Sequence, residues 1–213
     1  MGLAHSIRTL IVEIDRYLAC LQGTGIADVR QGLARWGQGP VNRLAALPDP
    51  ACGFLNAAVA AIDARPDLQR AILGCLPHLR WVTYNSYPVQ EIGARLPLAH
   101  AFCSLIGDSG LVHADDYELG LFLIAPHTLY RDHHHAAPEL YAPLTGPHCW
   151  RFGAGAPWIE KRAHEAVWNE PWQIHATAVR TVPFLSVFCW TRDVNLPAKV
   201  VPAGDWDVIE ARL

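Results

Sequence analysis

The twelve residues from Tyr130 to Tyr141, Tyr-Arg-Asp-His-His-His-Ala-Ala-Pro-Glu-Leu-Tyr, crowd metal-ligating and proton-accepting side chains into one stretch. His133 and His135 are two apart, so on an extended segment both imidazoles face the same side and one metal ion can touch both. Glu139 follows Pro138, where a bend is expected, and its carboxylate can swing to the same point. Such a mixed nitrogen and oxygen set suits one divalent transition metal, Zn, Fe, Mn, Ni or Co. A His-rich run can also be an exposed polar loop. This one is internal, lies between apolar runs and is followed by Glu139 and Gly146. A phenol ionises at ~10 on its own, but a nearby divalent cation pushes it toward phenolate, a competent base near neutral pH. Tyr141 is the first choice for that role and Tyr130 the second.

Such a site needs a scaffold. Ile7, Leu10, Ile11, Ile14, Leu18 and Leu21 recur at spacings of three and four, which makes a helical stripe stopped by Gly23 and Gly25. Further helices are expected over about 26–36, from Asp49 through 64, and over 66–75 with Pro66 at the first helical position. From Trp81 the pattern shortens to runs bounded by Gly, Pro, Asn and Asp. Trp81–Tyr84, Ala99–Ile106, Glu118–Ile124, Leu140–Leu144, Cys149–Phe152, Trp158–Glu160, Ala166–Trp168, Gln173–Thr177 and Leu185–Thr191 read as strands. The expectation is a mostly β chain, a small barrel or sandwich over 79–213, with the helical segment 1–78 packed on it as a cap in one compact unit. Asp205–Leu213 reads as a last strand or an arm.

Composition narrows the partners. Apolar residues make up 51% of the 213 and charged residues 17%, which excludes a disordered chain. With a formal charge of −3 and no basic block, nucleic acid is a poor partner. The six cysteines form no CxxC pair and read as buried thiols in a reducing compartment. No segment reaches the ~18 apolar residues that span a bilayer, and Glu13, Asp15 and Arg16 interrupt the N-terminal apolar pattern. A cytoplasmic protein acting on a small molecule, without a membrane partner, is expected, with a homodimer as one option for its assembly.

His133, His135 and Glu139 in the order HxHxxxE, with the later Pro171-Trp-Gln-Ile-His175, resemble the two metal motifs of the cupin superfamily. Within it the chain resembles the cupin-type dimethylsulfoniopropionate lyases. That resemblance rests on Tyr130 five residues before His135, on Glu139-Leu-Tyr141, on His175, and on Trp190 fifteen residues beyond it. It implies a jelly roll with a helical N-terminal part and a metal held by His135, Glu139 and His175. Tyr141 would lie close to or on the metal, with His133 beside them as a ligand or as a donor that orients one. It also implies cleavage of the sulfonium substrate to dimethyl sulfide and acrylate. An aromatic wall would serve the cationic end. Trp190 is the first candidate for it, then Tyr84 and Trp81. The remaining histidines, among them His127, His134, His148 and His164, are expected at the surface or in the core, and Glu160 and Glu165 are rival ligands without diagnostic spacing. Two other readings stay open: another cupin enzyme on a small carboxylate, such as a dioxygenase or isomerase, and a non-catalytic metal-binding sensor.

Overall fold

The structure is a computed structural model and describes residues 2–213. Helices α1 (Leu3–Ala19), α2 (Ile26–Trp36), α3 (Leu55–Ala60) and α4 (Pro66–Cys75) come first. In α1 the expected stripe Ile7, Leu10, Ile11, Ile14 and Leu18 is buried together with Tyr17, while Leu21 lies past the helix end. Pro66 opens α4 as its pattern implied. The single helix expected from Asp49 to 64 is instead two pieces. The Asp49 carboxylate accepts from the Ala51 N–H and starts a 3-10 turn over Pro50–Phe54, and α3 ends at Ala60. Ala64 then takes a positive φ of 51° shortly before Pro66, a conformation no helix continues through.

Short helices α5 (Val89–Ile92) and α6 (Leu96–Ala99) lead into the strands β1 (His100–Gly107), β2 (Val112–His113), β3 (Glu118–Ile124), β4 (Thr128–His134), β5 (Glu139–Pro143) and β6 (His148–Phe152). They continue as β7 (Ile159–Lys161), β8 (Val167–Asn169), β9 (His175–Val179), β10 (Phe184–Trp190) and β11 (Lys199–Val200), with α7 (Trp206–Glu210) last. One sheet of six strands runs β2-β1-β3-β10-β5-β8 and a second of five runs β11-β4-β9-β6-β7. Two sheets face each other as a cupin-like jelly roll capped by the N-terminal helices; among the described residues the strands do not join into one closed ladder. Trp81–Tyr84 is not a strand, since Val82 makes only an isolated bridge to Phe102. Asp205–Leu213 is neither strand nor arm but carries α7.

Alternation along the strands explains both layers. Leu119, Leu121 and Leu123 of β3 and Leu185, Val187 and Cys189 of β10 point outward into one core with Ile7, Leu10 and Ile72 of the helices. Phe122 and Ile124 of β3, Tyr141 of β5, Trp150 of β6 and Phe184 and Phe188 of β10 point inward, between the sheets. Gly120 sits in the same inner row of β3, where a Cβ would stand 1.9 Å from the Cys103 carbonyl oxygen, so the close β1–β3 approach requires glycine.

Strand β4 carries a bulge. Tyr130 pairs with Thr177 but His133 pairs with His175, one extra residue on β4. Without it Tyr130 and His133, at odd separation, would face opposite sides; the bulge turns both inward. Asp132 turns outward, where both the Arg151 guanidinium and the Trp206 indole N–H donate to its carboxylate. Arg151 also donates to Asp205, 2.6 Å away, which ties α7 to the back of the sheet. The side chains of Arg151 and Asp132 are both 0% exposed. Arg151→Met is therefore expected to lower unfolding free energy by about 3–5 kcal/mol, because it strands a buried carboxylate. Urea denaturation checks this, and adding Asp132→Leu should recover most of the loss.

Candidate metal centre and its cavity

Three strands and the turn after one of them converge on a point between the sheets. His133 lies near the end of β4, His135 just beyond it, His175 begins β9 and Glu139 begins β5. One ring nitrogen from each of His133, His135 and His175 lies within 4.8 Å of the others, and all three residues are buried. The Glu139 Oε2 atom is 3.2 Å from His135 Nε2 and 3.4 Å from His175 Nε2.

The outer nitrogen of each ring is engaged in the same way. Nδ1 of His133 donates to the Arg131 carbonyl at 2.8 Å, Nδ1 of His135 to that of Ala137 at 2.8 Å, and Nδ1 of His175 to that of Gln173 at 2.9 Å. This fixes the tautomer in which Nε2 is a lone-pair donor. His175 Nε2 is buried and has no hydrogen-bond partner among the described residues. Lone pairs aimed at one another and at a carboxylate oxygen repel unless a cation lies between them. A proton is a poor cation at His133, since burial and then the charges of His175 and His135 push it well below its ordinary value. The donor set therefore fits a divalent transition metal.

Glu139 is held from behind. Asn169 Nδ2 donates to Oε2 at 2.8 Å and the Trp190 indole N–H to Oε1 at 2.7 Å. Burial alone would raise the Glu139 carboxyl, but positive charge at His135 and at His175 outweighs it and holds the group well below the usual carboxylate range. Asn169 is buried and pairs with Glu139 across β5 and β8. Asn169→Ala is expected to weaken metal affinity about 10–100-fold through loss of this orienting bond, read by competition with a chelating dye. An unchanged affinity would assign Asn169 to packing alone.

Beside the cluster is a cavity of about 140 Å³ whose walls include His133, His135, Glu139, Tyr130, Tyr141 and Trp190. A cavity of about 150 Å³ holds benzene, so the space suits a ligand of several heavy atoms. Tyr130 stacks on His133 at 3.9 Å between ring centres, and its hydroxyl is 2.8 Å from that of Tyr87. Burial pushes the Tyr130 phenol up while the Tyr87 hydrogen bond opposes that. Burial and then the Glu139 and Tyr130 charges push Tyr141 well above its ordinary value.

Of the residues singled out from the sequence, His133, His135, Glu139 and His175 meet at the cluster, and Tyr130, Tyr141, Trp190 and Tyr84 line the cavity. Trp81 does not. It is buried in the core beneath the helices, because the segment pairs with β1 through Val82 and Phe102 and turns Trp81 to the helix side of the sheet. Trp190 reaches the site but is also a donor to Glu139, a contact its spacing did not announce. His127 is exposed and His148 is buried against Phe184, while His164 bonds Tyr17 and Asp63. Glu160 lies at the surface. Sequence reasoning missed Tyr87, Asn169, Glu118 and His100. Tyr87 carried one usable signal, a third aromatic three residues after Tyr84. His100 accepts from the Tyr84 backbone N–H at 3.1 Å and so holds the segment that roofs the cavity.

Comparison with known proteins follows the same line. The family model described as dimethylsulfoniopropionate (DMSP) lyase matches residues 37–186. A crystal structure reported for the DMSP lyases RdDddP and RnDddQII superposes with a TM-score of 0.74 at 18% identity, covering 94% of this chain and 100% of that one. The DMSP lyase DddQ from Ruegeria pomeroyi DSS-3 gives a TM-score of 0.62 at 18% identity, over 84% of this chain and 97% of that one. At such identity the two structures establish a shared fold. No curated protein matches the chain.

Proposed function

Since the chain belongs to the DMSP lyase family, we propose that it is a metal-dependent carbon-sulfur lyase that converts (CH3)2S+–CH2–CH2–COO− to dimethyl sulfide and acrylate. The observation that carries this reading is one small cavity, walled by Tyr130, Tyr141 and aromatic rings, that opens onto His133, His135 and Glu139 of the cluster completed by His175. A divalent metal held by His133, His135, His175 and Glu139 would act as a Lewis acid on the substrate carboxylate and make its α-hydrogen more acidic.

The chain's own residues supply the rest. Tyr141, two residues beyond Glu139 on the inner face of β5, takes the α-proton, with Tyr130 as the alternative base. The C–H electron pair becomes the new C=C bond, the C–S bond breaks, and its electrons stay on sulfur, which leaves neutral. No general acid is required. The surroundings that keep Tyr141 protonated are burial and negative charge; positive charge delivered to the cavity acts against both. Phe102, Phe122 and Phe188 face the remaining space and exclude water. The cavity also weighs against a sensor, which would fill the metal's open side with protein.

The test is headspace dimethyl sulfide from metal-loaded protein mixed with DMSP. Stoichiometric dimethyl sulfide and acrylate are expected. No release above a heat-treated control, or oxygen uptake with iron in its place, would overturn the lyase reading.

A further inference from the structure

One carboxylate in the cavity has no part in the elimination as described. Glu118 opens β3, and the register across three strands sets Glu118 opposite Trp190 and Trp190 opposite Glu139. The three residues thus form one row on the inner face of the sheet, with Glu118 at the end away from the imidazoles. Glu118 lines the inner cavity with Trp190 and Tyr141, and it also lines an outer cleft with Ser104, Arg80 and Asn195. Phe102 and Val194 border both spaces, so Glu118 stands at the neck between them.

Its charge is unanswered. The Ser104 hydroxyl donates to Oε1, and among the described residues no basic side chain acts on the Glu118 carboxylate. No Lys or Arg lines the inner cavity. Burial pushes the Glu118 carboxyl up, against the Ser104 hydrogen bond. A half-buried carboxylate without a counter-ion is unfavourable to hold in an apolar neck, and a ligand cation beside it would relieve that.

We propose that Glu118 is the specificity residue for the cationic end of the substrate, reading the sulfonium charge across the cavity from the metal-binding end that takes the carboxylate. This rests on the lyase reading for the identity of the ligand. It adds that the neck selects zwitterions with a fixed positive charge two methylenes from a carboxylate over uncharged acids of the same shape.

The test compares binding of DMSP with that of 4-methylpentanoate, which has a CH where DMSP has S+. Calorimetry is done on metal-loaded Tyr141→Phe protein, in which turnover is slowed, and headspace dimethyl sulfide is read on the same samples to confirm that the substrate stays intact. Glu118→Gln is expected to weaken DMSP about tenfold, the size of one partly solvated charge contact, and to leave 4-methylpentanoate unchanged. Glu118→Asp should keep the preference for the cation, which separates loss of charge from loss of fold. Equal weakening of both ligands, no change in either, or no preference for DMSP in the Glu118 parent would overturn the assignment. These affinities do not depend on dimethyl sulfide release by the native protein, so failure of the lyase reading registers separately.

Discussion

Tyr141→Phe is expected to lower the rate of dimethyl sulfide release by ~10²–10⁴, the range for loss of a positioned general base, with metal content unchanged. The substitution removes one oxygen and leaves the ring among Phe122, Trp150 and Phe184, with ring centres 5.8, 5.3 and 5.9 Å away. Fold and cavity should survive it, so the loss should appear in kcat rather than in KM or thermal stability. Tyr130→Phe is the comparison that gives the result meaning. It breaks the 2.8 Å contact with Tyr87 while keeping the stack on His133, and a loss of at most about tenfold is expected if Tyr130 only shapes the cavity. The two phenols differ in a way that makes the comparison sharp. The nearest polar group acting on Tyr130 is a hydroxyl that favours its ionised form, and the one acting on Tyr141 is a carboxylate that disfavours it. If Tyr130→Phe proves the more damaging, the base is Tyr130, and Tyr141 then positions substrate.

The ligands were readable because metal chemistry restricts both residue type and spacing. His133, His135 and Glu139 lie within seven residues, and few other roles suit them together. The helical stripe of α1 was readable for a similar reason, a period of 3.6 sustained from Ile7 to Leu18, about three turns. What failed was everything decided by strand register. Asn169 contacts Glu139 because β8 pairs with β5, and Glu118 shares a row with Trp190 because β3 pairs with β10. Those neighbours are 30 and 72 residues apart in the chain, so no local pattern could announce them. Trp81 failed in the opposite direction. An aromatic residue just before the barrel looks equally suited to wall or core, and only the direction of the incoming segment puts it under the helices. The bulge in β4 belongs to the same class. Tyr130 and His133 share a face only because one extra residue is accommodated opposite β9, and nothing in their spacing says so.

Removing His175 should have the second large effect, and one that does not depend on turnover. A four-donor zinc site contributes ~10–16 kcal/mol of apparent binding, or about 3 kcal/mol per donor, so loss of one imidazole weakens the metal by roughly 10². At a metal concentration that is ~10³ times the native dissociation constant, ligand binding stabilises the native protein by about 4 kcal/mol, and the same concentration stabilises His175→Ala by only about 1.4 kcal/mol. The thermal shift on adding metal should therefore shrink to about a third, and activity should fall by at least ~10³ at stoichiometric metal, because both occupancy and the geometry of the Lewis acid are lost. His175 is the decisive ligand to remove. Its Nε2 is a buried atom that finds no hydrogen-bond partner among the described residues, and it alone ties β9 to the two ligands borne by β4 and its following turn and to Glu139 of β5. If His175→Ala kept the full metal-dependent thermal shift, the cation would lie elsewhere, and the convergence of three Nδ1-anchored imidazoles on Glu139 would need another explanation.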